Sequence, residues 1–218
     1  VSRDSSILVW PNTTFWPEKL AARIDRPLFK GPTPLEGREQ VVASSAGGWQ
    51  ISYEGIYVYS GIYSAWRAIW IALVAQGKPV YVKPDMITAV PSSTLTTFSD
   101  TTVFSDSTYF AQSTGDCVLA AAAFLGDTVI SVTNSSTNPK VAGDWFEING
   151  RAHIIQEISG TSWTVWPSLR DDYASATVLE IDDPRVLCYL TPDSRAAAMN
   201  TDTRQLTRVT LDFIEAGW

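Results

Sequence analysis

Histidine and cysteine are nearly missing from this chain. Its 218 residues include one histidine, His153, and two cysteines, Cys117 and Cys188. Two cysteines do not make a disulfide framework. Two readings of them stand: small buried hydrophobes, or one bridge at the neck of an inserted unit, near whose junctions both fall. One histidine and no Cys-x-x-Cys pair leave no zinc-ligand pattern. Runs of Lys or Arg are also missing, and the net charge is −7 with a sequence pI near 4.7. A nucleic-acid binder needs a positive surface to meet phosphates, so the reading is no nucleic-acid partner. Long hydrophobic runs are absent too. The longest apolar stretches, residues 69–75 and 118–125, are too short to span a bilayer. Val1–Ser5 lacks the charged-then-apolar start of a signal peptide. The expectation is a soluble protein with no membrane insertion. No Gly-x-Gly-x-x-Gly, no phosphate-binding Gly-x4-Gly-Lys-Ser/Thr and no EF-hand loop occurs, so neither a nucleotide nor a calcium site is supported and no cofactor is expected.

Aromatic residues, by contrast, are abundant: 11% of the chain, with nine tryptophans. Such content suits packed β-structure and contact surfaces, because Trp and Tyr bring large area with a polar handle. The patterning agrees. Ile7 and Val9 alternate in a short strand over residues 5–10, ended by Pro11. A proline-bearing stretch follows, in which a short strand near residues 22–24 can hide. Residues 40–43 read as a strand. Trp49, Ile51 and Tyr53 alternate with Gln50, Ser52 and Glu54, the period-2 signature of a half-buried strand, and Gly55 shifts the alternation onto Ile56 and Val58 as a β-bulge does. One helix is predicted, over residues 62–76. Ile62, Trp66, Ile69, Trp70 and Leu73 form its apolar stripe, Ser60 or Ser64 is its candidate cap, and Gly77 its terminator. Residues 80–82 follow as a strand.

Residues 91–113 are dense in Ser and Thr and read as a connecting segment pinned by Phe98, Phe104, Tyr109 and Phe110. Beyond them come regular short strands near 128–132, 145–149, 151–158, 162–166 and 177–181, a spacing that indicates a small sandwich or barrel. Asn149-Gly150 suits a two-residue hairpin turn in which both residues take positive φ. Residues 205–215 read as a final strand returning to the first unit.

Candidates for chemistry are few. His153 lies in a strand after a turn, with no nucleophile motif to use it. Asp171-Asp172 and Asp182-Asp183 are adjacent pairs. Neighbours on a strand point to opposite faces, so neither pair alone supplies two carboxyls facing across a bond. Both sit beside turns, where Asp serves local backbone bonding. The expectation is no catalytic residue, no metal ligand and no enzyme.

Several segments, in order, resemble a known group. They are Pro34-Leu35-Glu36-Gly37-Arg38-Glu39-Gln40, then Gly48-Trp49, a helix with Trp66-Arg67, Tyr81-Val82-Lys83-Pro84, Gly143-Asp144-Trp145-Phe146-Glu147-Ile148-Asn149-Gly150-Arg151, Trp166-Pro167-Ser168-Leu169-Arg170, Asp183-Pro184-Arg185 and the closing Val209–Ala216. Together they resemble distal-tail or minor tail-tip proteins of siphophage-type bacteriophages and related gene-transfer particles. The segment over residues 91–113 has no counterpart in that group.

The resemblance implies a mainly β fold: a β-rich ring, or belt, domain with one α-helix, into which a small β-barrel or sandwich is inserted. The expected boundaries are 1–92 and 186–218 for the ring domain, 93–114 for the connecting segment and 115–185 for the inserted unit. It also implies a virion component of the tail tip, closing into a homo-oligomeric ring, usually a hexamer, with the tail tube protein and the baseplate hub as further partners. Aromatic content nominates Trp10, Trp16, Trp49, Tyr57, Phe213 and Trp218 as ring contacts. The rival expectation is a carbohydrate- or receptor-binding module, in which Trp145, Trp163, Trp166 and Tyr173 stack on sugar faces.

Overall fold

The structure is a computed structural model; it describes residues 6–25, 28–30, 41–43, 47–85, 117–134, 140–194 and 207–216. The fold is mainly β and includes a short helix over residues 63–70; residues 192–194 are helical as well. The described residues divide into two compact units, each with its own core.

The sheet unit contains residues 2–86, 149–152 and 185–218. Its strands are β1 (Leu8–Val9), β2 (Lys19–Asp25), β3 (Leu28–Lys30), β4 (Val41–Ala43), β5 (Gly48–Val58) and β6 (Val80–Val82). The barrel unit follows in chain order, with β7 (Cys117–Leu119), β8 (Val129–Asn134), β9 (Trp145–Ile148), β10 (Arg151–Ser159, whose first two residues group with the sheet unit), β11 (Ser162–Trp166) and β12 (Val178–Leu179). The chain then returns to the sheet unit through β13 (Val186–Leu190) and β14 (Thr207–Glu215).

Six strands build the main sheet in the order β1-β6-β13-β14-β5-β2, so both sequence-distant halves contribute to one layer. β1 and β6 run parallel; the other pairings are antiparallel. β14 sits between β13 and β5, and its period-2 pattern turns Val209, Leu211 and Phe213 inward. β5 turns Trp49, Ile51 and Tyr53 the same way. Its extra residue at Glu54-Gly55 shifts the register against β14, Gly55 takes φ +73°, and Ile56 and Val58 come inward. This is the bulge that the sequence alternation predicts, and a positive φ is what makes glycine the fitting residue there. β3 and β4 form a separate two-stranded hairpin; β3 had no sequence signal.

The helix runs as a short 3-10 turn (Ser60–Ile62), then α1 (Tyr63–Trp70), then a π-helical turn (Ile71–Ala75). Gly77 follows it with φ +60°, as predicted for a terminator. The predicted cap is different: Ile62 occupies the N-cap position and no side chain caps the first turn, because the 3-10 turn, with Ile62 N–H donating to Tyr59 O, supplies the entry instead of Ser60 or Ser64. Trp66 and Leu73 are buried among the sheet unit's apolar side chains, with Trp66 edge-on to Phe15.

In the barrel unit the order is β12-β7-β8-β11-β10-β9. Glu147 of β9 and Glu180 just after β12 exchange two backbone hydrogen bonds of 2.8 and 2.9 Å, which nearly closes the sheet on itself. Closure removes free edges, which a small all-β unit must otherwise protect. Leu119, Ile130, Phe146, Ile155, Trp163 and Val165 are among the side chains filling its interior. Asn149 and Gly150 take φ +49° and +82°, the two positive values of the predicted hairpin turn.

Candidate functional site

Among the described residues the structure spends most of the nominated aromatics on cores. Trp10 is 1% exposed: its indole N–H donates to Phe15 O at 3.2 Å, and its ring meets Tyr53 and Phe213 edge-on. Trp49 is equally enclosed, with its indole N–H donating to Ala152 O at 2.7 Å and its backbone N–H to Glu215 Oε2 at 2.9 Å. Phe213 is fully buried. These three corrections to the nominated ring contacts share one cause. Alternation tells which residues share a face, and in a sheet with one helix-covered face the large aromatics fall on the covered side. Trp16 and Tyr57 remain at the surface, 56% and 36% exposed. Trp218 lies outside the described residues, as do residues 91–113.

The sugar-contact set divides in the same way. Trp163 and Tyr173 are core residues of the barrel, so no sugar face can reach them, while Trp145 and Trp166 are half-buried. His153 is also buried. It stacks on Phe146 with ring centroids 5.4 Å apart, and its Nδ1 lies 2.9 Å from Pro167 O. The Asp pairs do local backbone work: Asp171 Oδ1 accepts from Asp172 N–H, Asp172 Oδ1 accepts from Leu125 N–H at 2.8 Å, and Asp183 N–H donates to Glu180 Oε1. Cys117 and Cys188 are both fully buried, the setting that the small-hydrophobe reading expects. Cys117 Sγ lies 3.2 Å from Asn134 Oδ1. Burial pushes the Cys188 thiol well above its ordinary range, and the Glu215 carboxylate adds to the shift.

One small cavity lies in the sheet unit, lined by Trp10, Trp66, Ile69, Trp70, Leu190 and Leu211 among others. At about 10 Å³ it has room for roughly one water and is almost wholly apolar. The indole N–H groups of Trp66 and Trp70 are buried without a hydrogen-bond partner. The helical stripe is therefore core, as its spacing predicts, and the cavity is too small for an organic substrate.

Among the described residues, surfaces are further candidates. On the face of the main sheet opposite the helix, Glu18 receives a hydrogen bond from the Tyr57 hydroxyl and an ion pair from Arg208, whose guanidinium lies 5.4 Å from the centre of the Tyr57 ring. Across the same face runs a row of register partners: Tyr189 opposite Ile214, Ile214 opposite Gln50, and Gln50 opposite Arg23, whose Nε donates to Gln50 Oε1 at 2.9 Å. Tyr189 and Ile214 are each 43% exposed. At the sheet's edge, β2 carries seven residues, and among the described residues its one strand partner is β5. In the barrel unit the loop before β8 holds Phe124 and Leu125 in water, 59% and 67% exposed. Sequence reading missed the Tyr189–Ile214 row because Ile214 is an apolar side chain at an outward position of its strand. It missed Phe124 and Leu125 because an apolar run between strands reads as core.

Among the described residues no group of three or more His, Cys, Asp and Glu side chains converges as a metal site. No protein-family model matches this chain, and no curated protein matches it closely enough to suggest a relative.

Proposed function

We propose that this chain is a structural component of a phage-type tail tip, which closes a homo-oligomeric ring joining the tail tube to a hub or to host-binding fibres. The ordered run of segments, from Pro34-Leu35-Glu36-Gly37 to the closing strand, carries the resemblance. The observation on the fold that best supports a ring is β2, a seven-residue edge strand whose other side meets no strand among the described residues. An open edge of that length offers backbone donors and acceptors to a neighbouring strand, and proteins that stay monomeric usually blunt such an edge. Trp16 and Tyr57, the nominated aromatics still at the surface, are the contacts this reading retains.

The test is the mass of the purified chain in solution across a concentration series, with negative-stain images at the highest concentration. Rings of one discrete size are expected. A chain that stays monomeric and also fails to bind purified tail-tube and hub proteins sinks the reading. Saturable glycan binding, lost in Trp166→Ala with the fold intact, would replace it with the carbohydrate-module alternative.

A further inference from the structure

The loop between β7 and β8 is unusual in what it holds rigid. Phe124 N–H donates to Asp127 Oδ2 at 2.8 Å, Leu125 N–H to Asp172 Oδ1 at 2.8 Å, and Gly126 N–H to Leu169 O at 2.7 Å. Ala123 and Tyr173 exchange two backbone bonds just before the tip. Every backbone donor from Ala123 to Asp127 is thus satisfied, with Asp127 N–H donating to Phe124 O. The two large apolar side chains these bonds hold in place nonetheless point into water. A flexible loop exposing Phe and Leu could fold them away; this one is pinned. Ala120, Ala121 and Ala122 before the tip are exposed as well, and the exposed carboxylates of Asp171 and Asp172 flank it. The feature is a preorganised apolar knob with an acidic rim, and preorganisation lowers the entropic cost of docking.

We infer that this knob docks on a second copy of the same chain, with Phe124 and Leu125 of one copy packing on the Tyr189–Ile214 row of the next. The chain carries a matching surface. That row exposes an aromatic and an aliphatic side chain as direct cross-strand neighbours, and it ends on Arg23, an exposed cation suited to the acidic rim. In a chain of net charge −7, generic self-contact is repulsive, so a local acid-to-base match is what selects one orientation. Each copy bears both knob and row, and a one-way contact, knob of one copy on the row of the next, is heterologous. Contacts of that kind propagate head to tail and close into a ring when the rotation allows. The inference rests on the self-assembly part of the proposed function and assigns it residues.

The full-length chain tests it directly. One variant removes the knob (Phe124→Ser with Leu125→Ser) and another the row (Tyr189→Ser with Ile214→Ser). All four positions are exposed, and near-ultraviolet circular dichroism of the buried tryptophans checks that each variant is folded. At a concentration where the parent forms rings, light scattering should find each variant monomeric. An equimolar mixture retains one intact knob and one intact row, so it should yield 1:1 pairs of twice the monomer mass and no rings. Arg23→Glu should raise the concentration needed for rings by about tenfold or more. Rings that persist in either double variant, a mixture that stays monomeric, or an unchanged Arg23→Glu overturns the contact while leaving ring formation intact. A parent that is monomeric at every concentration overturns it as well; binding to tube or hub proteins then tells whether the tail-tip reading survives.

Discussion

Glu215 is a carboxylate at 2% exposure in a sheet otherwise lined by aromatic and aliphatic side chains. It stays there because Trp49 N–H donates to one oxygen at 2.9 Å and Arg151 stands 3.9 Å from the other. A buried charge is tolerated only with such partners. Glu215→Ala should therefore lower unfolding free energy by about 3 kcal/mol, and Glu215→Gln, which keeps an acceptor, by about 1 kcal/mol; urea titration of both variants checks the ordering, and equal losses would contradict it. The same neighbourhood predicts sensitivity to alkali. Burial raises the Cys188 thiol, helped by Glu215, and burial also raises the Tyr53 phenol, whose hydroxyl donates to Lys83 O and accepts from Lys83 N–H. In both cases the folded state keeps its proton longer than the unfolded chain. The stabilising contribution is complete below the unfolded pKa and is lost as pH climbs from there toward the folded value. The decline should begin near pH 8.5 for the thiol and near 10 for the phenol, with a slope of up to about 1.4 kcal/mol per pH unit for each group. Unfolding free energies measured from pH 7 to 10.5 should show the first break vanish in Cys188→Ala; a flat profile would refute the assignment.

At the scale of elements, local signals were legible wherever one residue type answers one backbone demand. The Gly55 bulge, the Gly77 helix end and the Asn149-Gly150 turn all appear with positive φ at the expected glycines. Gly150 has a second constraint that no turn rule carries: a Cβ there would lie 3.1 Å from Tyr81 Cε1 and 3.4 Å from Leu187 Cβ. Leu187 N–H also donates to Gly150 O at 2.8 Å. Gly150→Ala should cost about 1–2 kcal/mol from the backbone alone, and more if Tyr81 cannot yield. A thermal shift no larger than that of Gly160→Ala, a positive-φ turn glycine with open space around it, would show that the Tyr81 contact is unimportant. The helix was legible as a stripe, but its last turn was not. The apolar repeat is compatible with α or π spacing over five residues, and only backbone bonds such as Gln76 N–H to Ile71 O distinguish them.

At the scale of the whole molecule, the main sheet joins strands that are far apart in the chain. β14 lies between β5 and β13, and its partners in β5 are more than a hundred residues away. Such pairing pays loop-closure entropy before any contact is gained. A chain ending at residue 206 lacks this interior strand and should lose cooperative folding of the sheet unit, while the barrel unit, with its own core and near-closed hydrogen bonding, keeps its protected amides. Hydrogen exchange resolves the two: slow exchange retained in β5 of the truncated chain would contradict the prediction.

The sequence by itself determined the β-rich class, the position of the helix, the turn and bulge glycines and the strand-rich stretch that becomes the barrel, because each depends on neighbours a few residues apart. Only the tertiary structure decided which aromatics face inward. Composition nominates Trp10, Trp49 and Phe213 alongside Trp16 and Tyr57, yet the first three are core and the last two are surface. Which side of a strand is covered depends on a helix and on strands from elsewhere in the chain, and no local pattern contains that information. The exposed Phe124-Leu125 tip is the converse case: an apolar pair that composition assigns to a core is held in water by backbone bonds to Asp127 and Asp172.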